Sequence, residues 1–145
     1  MFVLVTVAVF VADRLTKGLV NAFVPYGTEV NAIPGLVWIT NTRNAGAAFG
    51  LAPAGSILFL LASVVVAIGL LFYVARNSGH TWADGLLGLI LGGTLGNGYD
   101  RFFHGSVTDF IALHWWPVFN VADSAISVGV VLLLAGYLLR PKRAA

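Results

Sequence analysis

Apolar residues come in long blocks along this chain, and polar residues gather between them. Four blocks, about Phe2–Phe23, Ser56–Val74, Trp82–Tyr99 and Val118–Leu139, approach the roughly 20 residues that a helix needs to cross a bilayer's hydrocarbon core. Asn21–Asn44 is different: Pro25-Tyr26-Gly27 and Pro34-Gly35 mark turns, and Leu36-Val37-Trp38-Ile39-Thr40 reads as a strand. Pro53 introduces the second block and Arg76-Asn77-Ser78-Gly79 closes it. Phe102–Pro117 reads as a short connection between the third and fourth. The pattern predicts a membrane protein, mainly α: four transmembrane helices with a small β-rich platform between helices 1 and 2, one domain over 1–145.

Composition sharpens this. Of 145 residues, 59% are hydrophobic and only 10% are charged, with mean hydropathy +0.91, against roughly 25% charged in a soluble domain. There are no cysteines, which excludes disulfides, thiolate nucleophiles and cysteine-ligated metals. The net charge of +2 does not imply nucleic acid, because three of the eight basic residues, Arg140, Lys142 and Arg143, cluster at the C-terminus. Such a cluster places that end in the cytoplasm. An even number of spans then puts the N-terminus inside too, leaving Asn21–Asn44 and Phe102–Pro117 on the outer face. Met1–Ala12 has no basic leading region, and no small-x-small cleavage site follows, so it is expected to remain as the first span.

The charges inside the blocks carry the chemistry. A carboxylate at membrane depth costs at least about 2.5–3.5 kcal/mol, so each is a functional candidate. Asp13 and Lys17 stand four apart on a helix, acid first, which favours pairing. Gly88, Gly92 and Gly96 recur at four-residue intervals, a spacing that lets helices approach closely in lipid. Asp109 lies in the third connection. Asn120 and Asp123, read as i,i+3 on the fourth helix, share a face, with Asp123 about five residues in and roughly 7–8 Å along the axis. Two carboxyls that meet share one proton, and the pair can deprotonate a water and protonate a leaving amine. Asn97, Asp100 and Arg101 form a second polar cluster, with Asp100–Arg101 readable as an ion pair and Arg101 or Asn97 as a ligand for substrate backbone. Asn44, before the small residues Ala45–Ala48, reads either as a peptide-binding amide or as part of a plain turn.

His80, His104 and His114 lack metal-site spacing. No nucleophile elbow or phosphate loop occurs. On these residues alone, an aspartyl peptidase, a proton-coupled transporter and a non-catalytic scaffold for another membrane enzyme remain open. A transporter would be expected to show repeated or broken helices, and no repeat is evident.

The motifs resemble those of one bacterial family, the lipoprotein signal peptidases, or signal peptidase II. They occur in order: Asp13-Arg14-Leu15-Thr16-Lys17, Asn44-Ala45-Gly46-Ala47-Ala48-Phe49, Gly96-Asn97-Gly98-Tyr99-Asp100-Arg101, Gly105-Ser106-Val107-Thr108-Asp109-Phe110 and Phe119-Asn120-Val121-Ala122-Asp123-Ser124. The resemblance implies that Asp109 and Asp123 are the catalytic pair. It also implies that Asn44, Asn97, Arg101 and Asn120 line the substrate site, supported by Asp13, Lys17 and Asp100. It further implies cleavage of prolipoproteins before a diacylglyceryl-cysteine, inhibition by globomycin, no metal or organic cofactor, membrane lipids as surroundings and a location in the bacterial cytoplasmic membrane. A monomer is expected, since one chain holds a complete site. Gly98-Tyr99 and Thr108 depart from the family pattern, which has bulkier aliphatic residues there.

Overall fold

A computed structural model of the protein describes residues 1–46, 52–77, 79 and 81–139. Ala47–Gly50, His80 and the basic C-terminal residues Arg140, Lys142 and Arg143 lie outside the described residues. The element order is α1 (Phe2–Phe23), β1 (Glu29–Ile33), β2 (Val37–Asn44), α2 (Ala52–Asn77), α3 (Thr81–His104), β3 (Val107–Ala112) and α4 (Val121–Leu138).

The helices are dressed inside out. On α1, Val3, Val7, Val11, Leu15, Leu19 and Phe23 project outward at four-residue intervals, while Asp13 and Lys17 are buried; Leu19 is 57% exposed and Lys17 1%. Water would penalise that arrangement on both counts, whereas hydrocarbon around the outside suits it. By length and composition α2 (over Gly55–Asn77) and α4 are apolar enough to cross a membrane. Asp13, Arg14 and Lys17 dilute the hydropathy of α1, and Asp84, Asp100, Arg101 and several glycines dilute that of α3.

Helix α3 is the centre of the bundle, packing against α1, α4 and α2. Its glycines explain how. A Cβ at Gly88 would meet Phe2 O at 2.7 Å, at Gly92 it would meet Thr6 O at 2.7 Å, and at Gly96 it would meet Asp13 Oδ2 at 2.5 Å. The stripe thus seats α1 directly on the α3 backbone. Gly93, one position round the helix, presses against the Ala122 carbonyl of α4.

Three expectations need correction. The sheet is not confined to the segment between the first two helices. β3, from the segment read as a short connection, pairs antiparallel with β2 in the order β1-β2-β3. Short strands buried on both faces lack alternation, and Val107–Ala112 is nearly all buried. Helix α3 runs on to His104, five residues past Tyr99. Helix α4 starts at Val121 rather than Val118, with Asn120 as its cap.

Candidate active site

The third strand brings Asp109 to the end of the bundle. Thr42 pairs with Asp109 and Asn44 with Val107, so Asn44 and Asp109 are diagonal neighbours on one face of the sheet. A register shift between Ile39 and Thr42 sets that phase. Asn44 Nδ2 donates to Asp109 Oδ2 at 2.9 Å, and its Oδ1 accepts from Gly46 N at 2.9 Å. The single amide therefore holds the carboxylate and shapes the turn, uniting the two readings of this residue.

Beyond β3 the chain folds back on itself. Phe119 bridges to Ile111, with Phe119 N donating to Ile111 O at 3.1 Å and Ile111 N to Phe119 O at 2.8 Å. This return delivers Asn120, fully buried, as the N-cap of α4. Its Oδ1 accepts from Asp123 N at 2.9 Å, and Asp123 Oδ2 accepts from Asn120 N at 3.2 Å, a reciprocal capping box. Asp123 is consequently the third residue of the helix, about 4.5 Å along it at 1.5 Å per residue, shallower than the sequence spacing implied. The i,i+3 relation is that of a cap, not of two helical side chains sharing a face.

Asn120 Nδ2 also donates to Asp109 Oδ1 at 2.7 Å and to Asn97 Oδ1 at 3.1 Å. Asn97 Nδ2 in turn donates to Asp123 Oδ1 at 2.7 Å. Both carboxylates are thus brought together through one asparagine and held by neutral donors. Among the described residues, no cation lies within ion-pair distance of either. Asp109 is 3% exposed, whereas Asp123 is half-buried. Burial pushes the Asp109 carboxyl up to about 6; the Asn44 hydrogen bond opposes the rise and the Asp123 charge adds to it.

The other carboxylates form a separate cluster. Lys17 Nζ lies 2.9 Å from Asp13 Oδ2 and 2.9 Å from Asp100 Oδ2, and donates to Asn97 Oδ1 at 2.9 Å. Arg14 Nη1 meets Asp100 Oδ1 at 2.7 Å. Asp13 Oδ1 accepts from Ala122 N at 3.2 Å, and Asp100 Oδ2 from Thr108 N at 3.3 Å. The cluster therefore anchors both the start of α4 and the start of β3. Lys17 binds Asn97 on the oxygen side, which leaves the Asn97 Nδ2 to face Asp123.

Asp100 and Arg101 do not pair with each other. Neighbours on a helix point about 100° apart, and Asp100 turns to Arg14 and Lys17. Arg101 lies 5.2 Å over the Phe59 ring of α2, donates weakly to Asn97 O at 3.4 Å, and feels the charges of Asp123 and Asp109. Its Nε is buried without a hydrogen-bond partner among the described residues.

Sequence reasoning gave no role to Arg14, although it stands inside a quoted motif, because its partner Asp100 is 86 positions away in the chain. It also gave no structural role to Thr108, whose N–H and carbonyl join Asp100 to Asn120, and no signal marked Phe59. His104 lies near Asp100, and His114 stacks on Trp38 at 3.7 Å. Among the described residues no group of three metal-ligating side chains occurs.

Comparison with known proteins gives a consistent result. The family described as signal peptidase (SPase) II matches residues 5–139. The chain is 46% identical over 136 residues to the lipoprotein signal peptidase of Syntrophomonas wolfei, covering 93% of this chain and 91% of the relative. It is 42% identical over 137 residues to that of Desulfitobacterium hafniense, covering 93% and 91%. It is 40% identical over 139 residues to that of Listeria monocytogenes serotype 4a, covering 92% and 90%. Two solved structures, each of a bacterial membrane enzyme, superpose with TM-scores of 0.89 and 0.86 at 29% and 28% identity. They cover 96% and 99% of this chain, and 93% of theirs in each case.

Proposed function

This chain belongs to the signal peptidase II family, and from that premise we propose that it is a four-span aspartic endopeptidase, one domain over 1–145. It removes signal peptides from prolipoproteins by cleaving before a diacylglyceryl-cysteine. The observation that carries this reading is the junction at Asn120, which ties Asp109 and Asp123 together on neutral donors. Carboxylates neutralised by lysine or arginine would be poor at exchanging protons; a cation-free pair can hold one proton between two sites.

Burial favours the neutral form of Asp109, and half-buried Asp123 faces water. Two carboxyls so close exchange one proton as a pair, so either can start as the base. A water between them loses a proton to the ionised member while its oxygen attacks the carbonyl carbon preceding the lipidated cysteine. The protonated member hydrogen-bonds the carbonyl oxygen as negative charge develops there. The C–N bond then breaks, the cysteine nitrogen takes a proton from the pair, and the new carboxyl end departs with the signal peptide. No covalent enzyme intermediate forms, and the step balances with water as co-reactant.

Arg101, which feels the charges of the pair and whose Nε has no hydrogen-bond partner among the described residues, binds a substrate carbonyl. Asn44, Asn97 and Asn120 hold the carboxylates and edge the peptide groove. Asp13, Lys17 and Asp100 are positioning residues that set Asn97 and the first turn of α4. All four helices span the bacterial cytoplasmic membrane, both termini are cytoplasmic, and the sheet with the site lies at the outer face of a monomer. A shallow site suits a substrate whose diacylglyceryl group is anchored in the bilayer.

Purified protein incubated with a diacylglyceryl-cysteine lipopeptide tests the proposal by mass spectrometry. One cut before the modified cysteine is expected, suppressed by globomycin and absent from the same peptide with unmodified cysteine. An intact lipopeptide, or equal cleavage of the unmodified one, overturns it.

A further inference from the structure

Away from the carboxylate pair, on another face of α3, lies an apolar groove. Asn97 and Gly93 turn toward α4, whereas Leu95, Gly98 and Phe102 line a cavity of about 490 Å³ whose other walls are Phe10 of α1 and Val64 of α2. That volume falls within the roughly 300–1,000 Å³ of ligand pockets. The groove runs toward the sheet end of the bundle, and there its wall changes character. Tyr99 borders both this groove and a polar hollow lined by Arg14, Arg43, His104 and Thr108. The Arg14 guanidinium covers the Tyr99 ring at 4.7 Å.

The charges of that hollow do not cancel. Asp13 and Asp100 are matched by Lys17 and Arg14, which leaves Arg43. No carboxylate among the described residues reaches it within ion-pair distance. Instead Arg43 Nη1 donates to Thr108 Oγ1 at 2.8 Å and Nη2 to Asn21 Oδ1 at 3.3 Å. Two neutral acceptors thus fix its fork, and a guanidinium has five N–H donors, so others stay available for an anion. The side chain is exposed. An aromatic wall shared by an apolar trough and a surplus-cation hollow has the polarity sequence of a phospholipid, acyl chain below and phosphate above.

We infer that the α1–α2–α3 groove binds one anionic phospholipid of the surrounding bilayer, its acyl chain along Phe10, Leu95 and Val64 and its phosphate against Arg43 and Arg14. The site is separate from the catalytic cleft and holds whether or not the chain cleaves peptides. Bound there, the lipid also braces Tyr99 and the Thr108 end of β3, one residue from Asp109.

Native mass spectrometry of the full chain in detergent tests this with an equimolar mixture of phosphatidylglycerol and phosphatidylcholine of identical chains. The wild-type chain is expected to retain phosphatidylglycerol with a preference of about tenfold, because phosphatidylcholine brings a fixed choline cation beside Arg43 and phosphatidylglycerol does not. Arg43→Gln should bring the two lipids near parity. Leu95→Trp and Val64→Trp, which fill the groove from opposite walls, should each reduce retention of both lipids. Equal retention of the two headgroups by the wild type, an undiminished preference in Arg43→Gln, or unchanged retention in both groove-filled variants overturns the inference.

Discussion

Two pairs of carboxylates sit within the same end of one small bundle, and they are treated in opposite ways. Asp13 and Asp100 share Lys17 at 2.9 Å each, and Arg14 closes on Asp100 at 2.7 Å. Among the described residues, the Asp109 and Asp123 carboxylates touch only amides and backbone N–H groups. The first arrangement matches charge with charge and uses it to clamp α1, α3, β3 and α4. The second leaves charge free to move as a proton. Burial alone separates neither pair from the other, since Asp13, Asp100 and Asp109 are all nearly inaccessible. The identity of the donors does, and Asn97 stands between the pairs, Lys17 on its oxygen and Asp123 on its nitrogen.

The contrast can be broken most severely from the structural side. Lys17→Met leaves two buried carboxylates without their shared ammonium, and breaking such a pair costs roughly 3–5 kcal/mol. Thermal unfolding in detergent should show a large loss, partly recovered when Asp13→Asn is added. An unaltered unfolding temperature would mean that the cluster does not clamp the bundle.

The next effect has the opposite sign. The folded-state value of Asp109 is raised from 3.8 to about 6, so its stabilising contribution is complete below pH 3.8 and lost as pH rises through about 6. At about 1.4 kcal/mol per pH unit the span amounts to roughly 3 kcal/mol. Asp109→Asn should therefore unfold later than wild type at pH 8, by up to that amount, and the difference should shrink toward pH 4.

The smallest expected change in stability comes from the bridge. Asn120→Ala removes a helix cap worth about 0.5–2 kcal/mol, yet it releases both carboxylates. A misplacement of about 1 Å can cost on the order of 10²-fold in rate. Turnover of the lipopeptide should thus fall far more than stability does, with the loss chiefly in kcat. A variant that kept its rate while losing stability would reduce Asn120 to a cap.

Much of this contrast could be read from the chain before its fold. The Asp13–Lys17 pair follows from helical spacing, and the limits of α1 coincide with its apolar run. The glycine stripe of α3 announced close packing, although only the structure identifies α1 as the helix it meets. What stayed hidden depends on contacts between distant segments. Val107–Ala112 is a six-residue buried strand without alternation, so its pairing with β2 left no periodic trace. Asn120-x-x-Asp123 fits a helical face and a capping box equally well in sequence; the bridge from Phe119 to Ile111 decides for the cap. Arg101 beside Asp100 looked like an ion pair because adjacency in sequence resembles adjacency in space, and helical geometry separates them.

The central claim is that the amide-held pair performs the hydrolysis together. Initial rates of lipopeptide cleavage by wild type, Asp109→Asn and Asp123→Asn, each checked for folding by its unfolding temperature, test it most directly. Loss of general acid–base function should slow either variant by roughly 10²–10⁴-fold while both remain folded. Wild-type turnover by a folded Asp109→Asn or Asp123→Asn chain would contradict it.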